Sequence, residues 1–259
     1  MIGIYFSGTG NSRDAAERFL LECGYAAETF AIEGEAAAHL AKHNEVVFAY
    51  PVQYSAVPKI VSDFVREHAE LWQGKHVFII ATMALFSGDG AGVLARLLRR
   101  YGAVILGGLH LQMPDSIADE KVLKRSREAN GRMVEAAGQK IARAAASIRA
   151  GRYPQQGLGM LSRLAGWLTQ RLWFGSRTQT YSHGLKIDAS RCIGCGVCAK
   201  YCPTGNITMN SRLAHSADRC TLCYRCVNLC PKQAITLLGE RVIQRTSVDQ
   251  NVFERYHRE

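Results

Sequence analysis

Ile2-Gly3-Ile4-Tyr5-Phe6-Ser7-Gly8-Thr9-Gly10-Asn11-Ser12 sets the terms for the first part of the chain. The short apolar run predicts a buried strand. The periodic pattern from Asn11 to Glu22 predicts a helix directly behind it. Between them lie six small polar or glycine residues, Ser7 to Ser12. Such a loop lets backbone N–H groups converge on an anion, and the following helix adds its unsatisfied donors and its dipole. The hydroxyls of Ser7, Thr9 and Ser12 can donate to phosphate oxygens. The loop holds no Lys, which excludes a nucleoside-triphosphate loop. Gly8 and Gly10 begin a dinucleotide fingerprint, but its third small position is Arg13, which cannot give the required close helix–strand packing. A monophosphate suits the loop better than a pyrophosphate. A tight turn with a Ser/Asn helix cap and no ligand would read the same way in isolation.

The pattern repeats downstream. Ala27–Ile32, Glu45–Tyr50, His76–Thr82 and Ala103–Leu111 read as strands. Helical stretches are expected over Pro58–Glu70, after the Gly88-Asp89-Gly90 turn as far as Arg100, and over Ala118–Ala150. Strands alternating with helices imply βαβ units and a parallel sheet. Val77-Phe78-Ile79-Ile80-Ala81 is apolar on both faces, as a buried parallel strand should be. Gly and Pro punctuate Gly151–Gly157. The expected organisation is an α/β domain over 1–150, a connector over 151–181 and a cysteine domain over 182–259.

The loop Ser7, Gly8, Thr9, Gly10, Asn11, Ser12 after the first strand, with five βα units in about 150 residues, resembles the flavodoxin fold. The resemblance implies a five-stranded parallel doubly wound sheet whose first loop holds the phosphate of FMN. It also implies two loops around the flavin ring. By position these map to Pro51, Val52, Gln53, Tyr54 and Ser55 after the third strand, and to Thr82, Met83, Ala84, Leu85, Phe86, Ser87 and Gly88 after the fourth. Tyr54 and Phe86 are the candidate stacking residues. The sequence departs from typical flavodoxins in lacking a Trp in the first of these loops and a Tyr in the second.

Eight of the nine cysteines crowd between Cys192 and Cys230. One run is Cys192-x-x-Cys195-x-x-Cys198-x-x-x-Cys202-Pro203. The other is Cys220-x-x-Cys223-x-x-Cys226-x-x-x-Cys230-Pro231. Every cysteine recurs 28 residues later, as do the prolines and the pair Ile207 and Ile235. This is the spacing of bacterial two-cluster ferredoxins, in which the fourth cysteine of each run serves the other cluster. The assignment is therefore Cys192, Cys195, Cys198 and Cys230 to one [4Fe-4S] cluster, and Cys220, Cys223, Cys226 and Cys202 to the other. Structural zinc more often uses paired Cys-x-x-Cys or mixed Cys/His sets. Residues 182–239 resemble a two-cluster ferredoxin, a small α+β domain. The ninth cysteine, Cys23, reads as a small buried hydrophobe.

Taken together, the chain resembles the flavodoxin–ferredoxin fusion proteins. The resemblance implies an electron-transfer protein with FMN and two [4Fe-4S] clusters. An FMN-dependent reductase of a small organic substrate, and a subunit docked to a membrane complex, are the competing readings.

Charge is uneven. Residues 1–120 hold 9 Lys/Arg against 14 Asp/Glu, residues 121–180 hold 12 against 2, and residues 181–259 hold 11 against 6. The basic excess suits an acidic electron carrier or reductase, and is compatible with an anionic membrane surface; nucleic acid is not the expected partner. Met160–Phe174 reads as an amphipathic helix, in keeping with a domain connector or a peripheral membrane contact. The N-terminal apolar stretch is not preceded by basic residues, so a secretory leader is not expected. The cysteines then read as metal ligands in a reducing, cytoplasmic compartment.

Overall fold

The computed structural model describes residues 1–54, 56–122, 124–159 and 183–246. They form two compact units. The first comprises 1–7, 11–113 and the described residues from 127 to 159; the second comprises 8–10, 114–126 and 183–246. The amphipathic pattern of Met160–Phe174 and the loop residue Ser55 lie outside the described residues.

The first unit is a five-stranded, all-parallel sheet of β1 (Ile2–Tyr5), β2 (Thr29–Ala31), β3 (Glu45–Pro51), β4 (His76–Met83) and β5 (Val104–Gln112) in the order β2-β1-β3-β4-β5. Five helices alternate with the strands: α1 (Asn11–Glu22), α2 (Ala36–Lys42), α3 (Lys59–Glu67), α4 (Gly90–Arg100) and α5 (Arg127–Arg149). This strand order is that of the flavodoxin-like doubly wound fold, and it places the switch point between β1 and β3.

The central strands carry the core. Val46 to Tyr50 and Val77 to Ala81 are fully buried, because helices cover both faces of a parallel sheet. Phe48 stacks on Trp72 with ring centroids 5.9 Å apart, and Phe19 stacks on Phe78 at 4.6 Å. Each such fully buried side chain stabilises the fold by about 1.5–3 kcal/mol relative to exposure.

The exposed edge of β5 is covered by a segment the sequence presents only as a break. Gly108 N donates to Pro154 O at 2.8 Å, and Gln156 N donates to Gly108 O at 2.9 Å. Gly107 and Gly108 allow this approach: a Cβ on either would come within 2.6 Å of the carbonyl oxygens of Pro154 or Gln156. Pairing removes the unsatisfied groups an edge strand presents.

The expected helix over Ala118–Ala150 is corrected. The helix begins at Arg127, and the described residues of 114–126 are irregular and belong to the second unit. Long-range bonds overrule helical propensity there. Ala118 is fully buried, and its carbonyl accepts from Ile243 N at 2.8 Å and Gln244 N at 3.0 Å. The helix α2 was not anticipated; its Ala-rich turn is only seven residues long.

The second unit contains two antiparallel pairs, β6 (Lys186–Ile187) with β9 (Ile235–Thr236) and β7 (Ile207–Asn210) with β8 (Leu213–Ser216). Its helices are single-turn, α6 (Val197–Lys200) and α7 (Arg225–Leu229). Its core gathers Ala118, Leu185, Ile207, Tyr224, Val227, Ile235 and Leu237. No helix among the described residues is long and apolar enough to cross a membrane.

Candidate cofactor sites

Sheet order brings the C-terminal ends of β1, β3 and β4 side by side, so the three loops that follow them leave neighbouring strands. Ligands of open α/β sheets bind at this end, by the switch point. Ser7, Thr9 and Ser12 are buried. Ser12 Oγ and Thr82 Oγ1 are 2.8 Å apart, a hydroxyl pair linking the first loop to the third. Gly10 has φ +93°, and among the described residues beyond its chain neighbours no heavy atom lies within 4 Å of the position a Cβ would take. The stretch Ser7–Ser12 holds no carboxylate, and Asp14, in the first turn of α1, is bonded to Arg18 at 2.9 Å. Small hydroxyl residues, a left-handed glycine facing open space and a twelve-residue helix behind them fit a bound phosphate.

The two other loops differ in how much they leave to a ligand. Pro51 pairs with Thr82, and Val52 N donates to Thr82 O at 2.8 Å. Gln53 and Ala56 exchange backbone hydrogen bonds of 3.1 and 2.8 Å, a tight turn with Tyr54 at φ +48°. In the last loop Thr82, Met83, Ser87 and Gly88 are buried, whereas Leu85 and Phe86 are 54% and 60% exposed. Phe86 and Tyr54 are thus the aromatic side chains these loops offer to a flat ring. Thr82 and Ser87 are engaged elsewhere, Ser87 Oγ lying 3.1 Å from His110 Nε2.

Sequence reading did not single out His110. Burial, and secondarily the charge of Lys140, lowers its pKa to about 4. Protonation therefore favours the unfolded chain as pH falls. The stabilisation is complete above about pH 6.5 and is lost as pH drops through about 4. Discounted for partial exposure, it is on the order of 2 kcal/mol. We expect His110→Gln to flatten the loss of unfolding free energy between these pH values, measured by denaturant titration. An unchanged pH slope would contradict the assignment.

In the second unit, one cavity is lined by Cys192, Cys195, Cys198 and Cys230. A second is lined by Cys202, Cys220, Cys223 and Cys226. Each cavity thus takes three cysteines from one run and the fourth from the other. All nine cysteines are free thiols. Among the described residues no group of three or more His, Cys, Asp or Glu side chains is gathered as for a single metal ion. Four soft sulfur donors lining one pocket fit a polynuclear iron–sulfur centre.

The repeat persists in the backbone. Asn206 N donates to Cys202 Sγ at 3.2 Å, and Ala234 N, 28 residues on, donates to Cys230 Sγ at 3.3 Å. Gly194, Gly196 and Gly205 have φ of 71°, 74° and 57°; their counterparts Leu222, Tyr224 and Gln233 have φ of 53°, 58° and 50°. The second half therefore holds non-glycine residues in a conformation that costs roughly 1–3 kcal/mol each.

The cavities differ in shelter. Cys195 is exposed in the first, and exposed Ile193 also lines it. Burial pushes the Cys198 and Cys223 thiols up to about 11, and Cys226 well above the ordinary value.

The family model of a 4Fe-4S dicluster domain matches residues 191–234. No curated protein matches the sequence. Among solved structures, the two-electron reduced flavodoxin of Megasphaera elsdenii is similar at 20% identity over 56% of this chain and 100% of that one, with a TM-score of 0.39. The Fusobacterium nucleatum flavodoxin bound to flavin mononucleotide is 15% identical over 58% and 98%, with a TM-score of 0.41. The WrbA-like flavodoxin from Agrobacterium tumefaciens is 20% identical over 57% and 96%, with a TM-score of 0.37. The fold of the first unit rests on its own strand order. The chain joins a flavodoxin-like parallel sheet to a ferredoxin-type 4Fe-4S dicluster domain.

Proposed function

We propose that the chain is an electron-transfer protein carrying one FMN and two [4Fe-4S] clusters. The observation that carries this reading is the pair of four-cysteine cavities, each completed by a cysteine from the other run. When bound, the clusters supply one-electron exchange and FMN supplies one- or two-electron exchange.

The protein's part is to hold and orient these groups. Cys192, Cys195, Cys198 and Cys230 ligate the first cluster; Cys202, Cys220, Cys223 and Cys226 ligate the second. Backbone amides of Asn206 and Ala234 donate to ligand sulfurs, which stabilises added negative charge. Ser7 to Ser12 hold the FMN phosphate, and Tyr54 and Phe86 flank the ring. The basic excess beyond residue 120 favours an acidic protein carrier as redox partner. Eight cysteines held as cluster ligands rather than as disulfides suit a reducing compartment such as the cytoplasm.

Protein purified without oxygen is expected to contain about eight irons and one FMN per chain, read by metal analysis and visible spectroscopy. Colourless protein containing zinc would overturn the proposal.

A further inference from the structure

The excursion between β5 and α5 brings Asp119 into the second unit, where it is 3% exposed. Asp119 Oδ1 accepts from Tyr224 Oη at 2.9 Å. Oδ2 accepts from Leu237 N at 2.6 Å and Leu238 N at 3.1 Å. Both oxygens act only as acceptors, the geometry of an ionised carboxylate. Gly239 permits the close approach: a Cβ there would lie 2.0 Å from the carbonyl oxygen of Asp119.

These partners are not ordinary core residues. Tyr224 lies between Cys223 and Cys226, and both Tyr224 and Leu237 line the cavity of Cys202, Cys220, Cys223 and Cys226. Tyr224 is left-handed where the first half has Gly196. A bulky residue keeps that conformation only when its surroundings hold it. The carboxylate grips its phenol and, through the adjoining amides, the strand end on the same cavity. The nearby cation is Lys124, which feels both Asp119 and Asp115 and donates to Ile117 O.

We propose that Asp119 is a positioning residue for the second cluster: it locks the Cys223–Cys226 loop through Tyr224 and lowers that cluster's potential with a sheltered negative charge. The inference rests on the proposed cluster assignment. A fixed anion beside the cavity opposes addition of an electron there. The first cavity has a glycine at the corresponding position and lacks this clamp, so the two clusters are made unequal by a residue outside either cysteine run.

The test uses the full chain, purified anaerobically, as wild type, Asp119→Asn and Tyr224→Phe. Stepwise redox titration is followed by electron paramagnetic resonance, and iron release to a chelator is timed. Asp119→Asn is expected to raise the second cluster's midpoint by about 59 mV, a tenfold change in a one-electron equilibrium, with the first cluster unmoved. Tyr224→Phe is expected to retain both clusters and to release iron from the second about tenfold faster. Should Asp119→Asn fail to assemble the second cluster, the Tyr224→Phe release rate decides: selective acceleration supports the inference and an unchanged rate overturns it. Two clusters in wild type with an unmoved midpoint in Asp119→Asn overturn this inference alone. Wild type lacking the second cluster overturns the proposed function and this inference with it.

Discussion

Gly10→Val is expected to yield a chain that keeps its iron and loses the FMN proposed to bind at Ser7 to Ser12. Two physical effects act together. Gly10 has φ +93°, a region open to glycine and costly, by roughly 1–3 kcal/mol, for a side chain with a Cβ. Among the described residues beyond its chain neighbours no atom lies within 4 Å of where that Cβ would go, so the penalty is not a clash within the folded chain. That open space is the space the proposed phosphate would use, and valine's methyl groups would fill it. Reorienting the amides of Thr9 to Asn11 would also spoil their convergence on an anion. The combined effect is a loss of FMN affinity of about a hundredfold or more, near 2.7 kcal/mol. Gly10→Ala carries the backbone strain with less bulk and should fall between wild type and valine. Flavin per chain and iron per chain, measured on the same preparation, check the prediction. One FMN per chain in the valine variant would remove the loop from the flavin site.

What the sequence disclosed follows from what each signal depends on. Val77–Ala81 is apolar on both faces because helices cover it on both sides, so its burial and strand character could be read directly. The cysteine runs were legible for a covalent reason: ligand spacing is tied to cluster geometry. Asp119 left no such trace. Its role depends on Tyr224, 105 residues away, and on the backbone amides of Leu237 and Leu238. The helical appearance of Ala118–Ser126 hid it, because local propensity cannot register carbonyls already claimed from a distance. His110 was hidden for a similar reason. Only folding places Ser87 Oγ against its Nε2 and encloses the ring. In the loop after β4 the sequence offered seven residues and singled out Phe86 for stacking, without separating the other six. Burial separates exposed Phe86 from Thr82 and Ser87, whose hydroxyls already face other side chains.

The cysteine that closes each run supplies the second large effect, because it decides whether ligation is crossed. Cys230 stands in the second run, yet it lines the cavity of Cys192, Cys195 and Cys198. Cys202 stands in the first run and lines the cavity of Cys220, Cys223 and Cys226. Cys230→Ser should therefore abolish the first cluster and spare the second, while Cys202→Ser should do the reverse. Serine is nearly isosteric, but its hydroxyl is a hard, weakly acidic donor where a soft thiolate is needed. The loss should take the variant from about eight irons to about four. Cys195→Ser serves as the control, since it belongs to the first cavity on either pattern of ligation. It should reproduce the Cys230→Ser spectrum, leaving one cluster's paramagnetic signal. If ligation instead followed the chain, Cys230→Ser would match Cys226→Ser and keep the cluster that Cys195→Ser loses. Crossing also has a folding consequence: each cluster ties the first half of the repeat to the second, so losing one should loosen both. The surviving cluster in Cys230→Ser is accordingly expected to release iron faster than the same cluster in wild type, when both are timed against the same chelator.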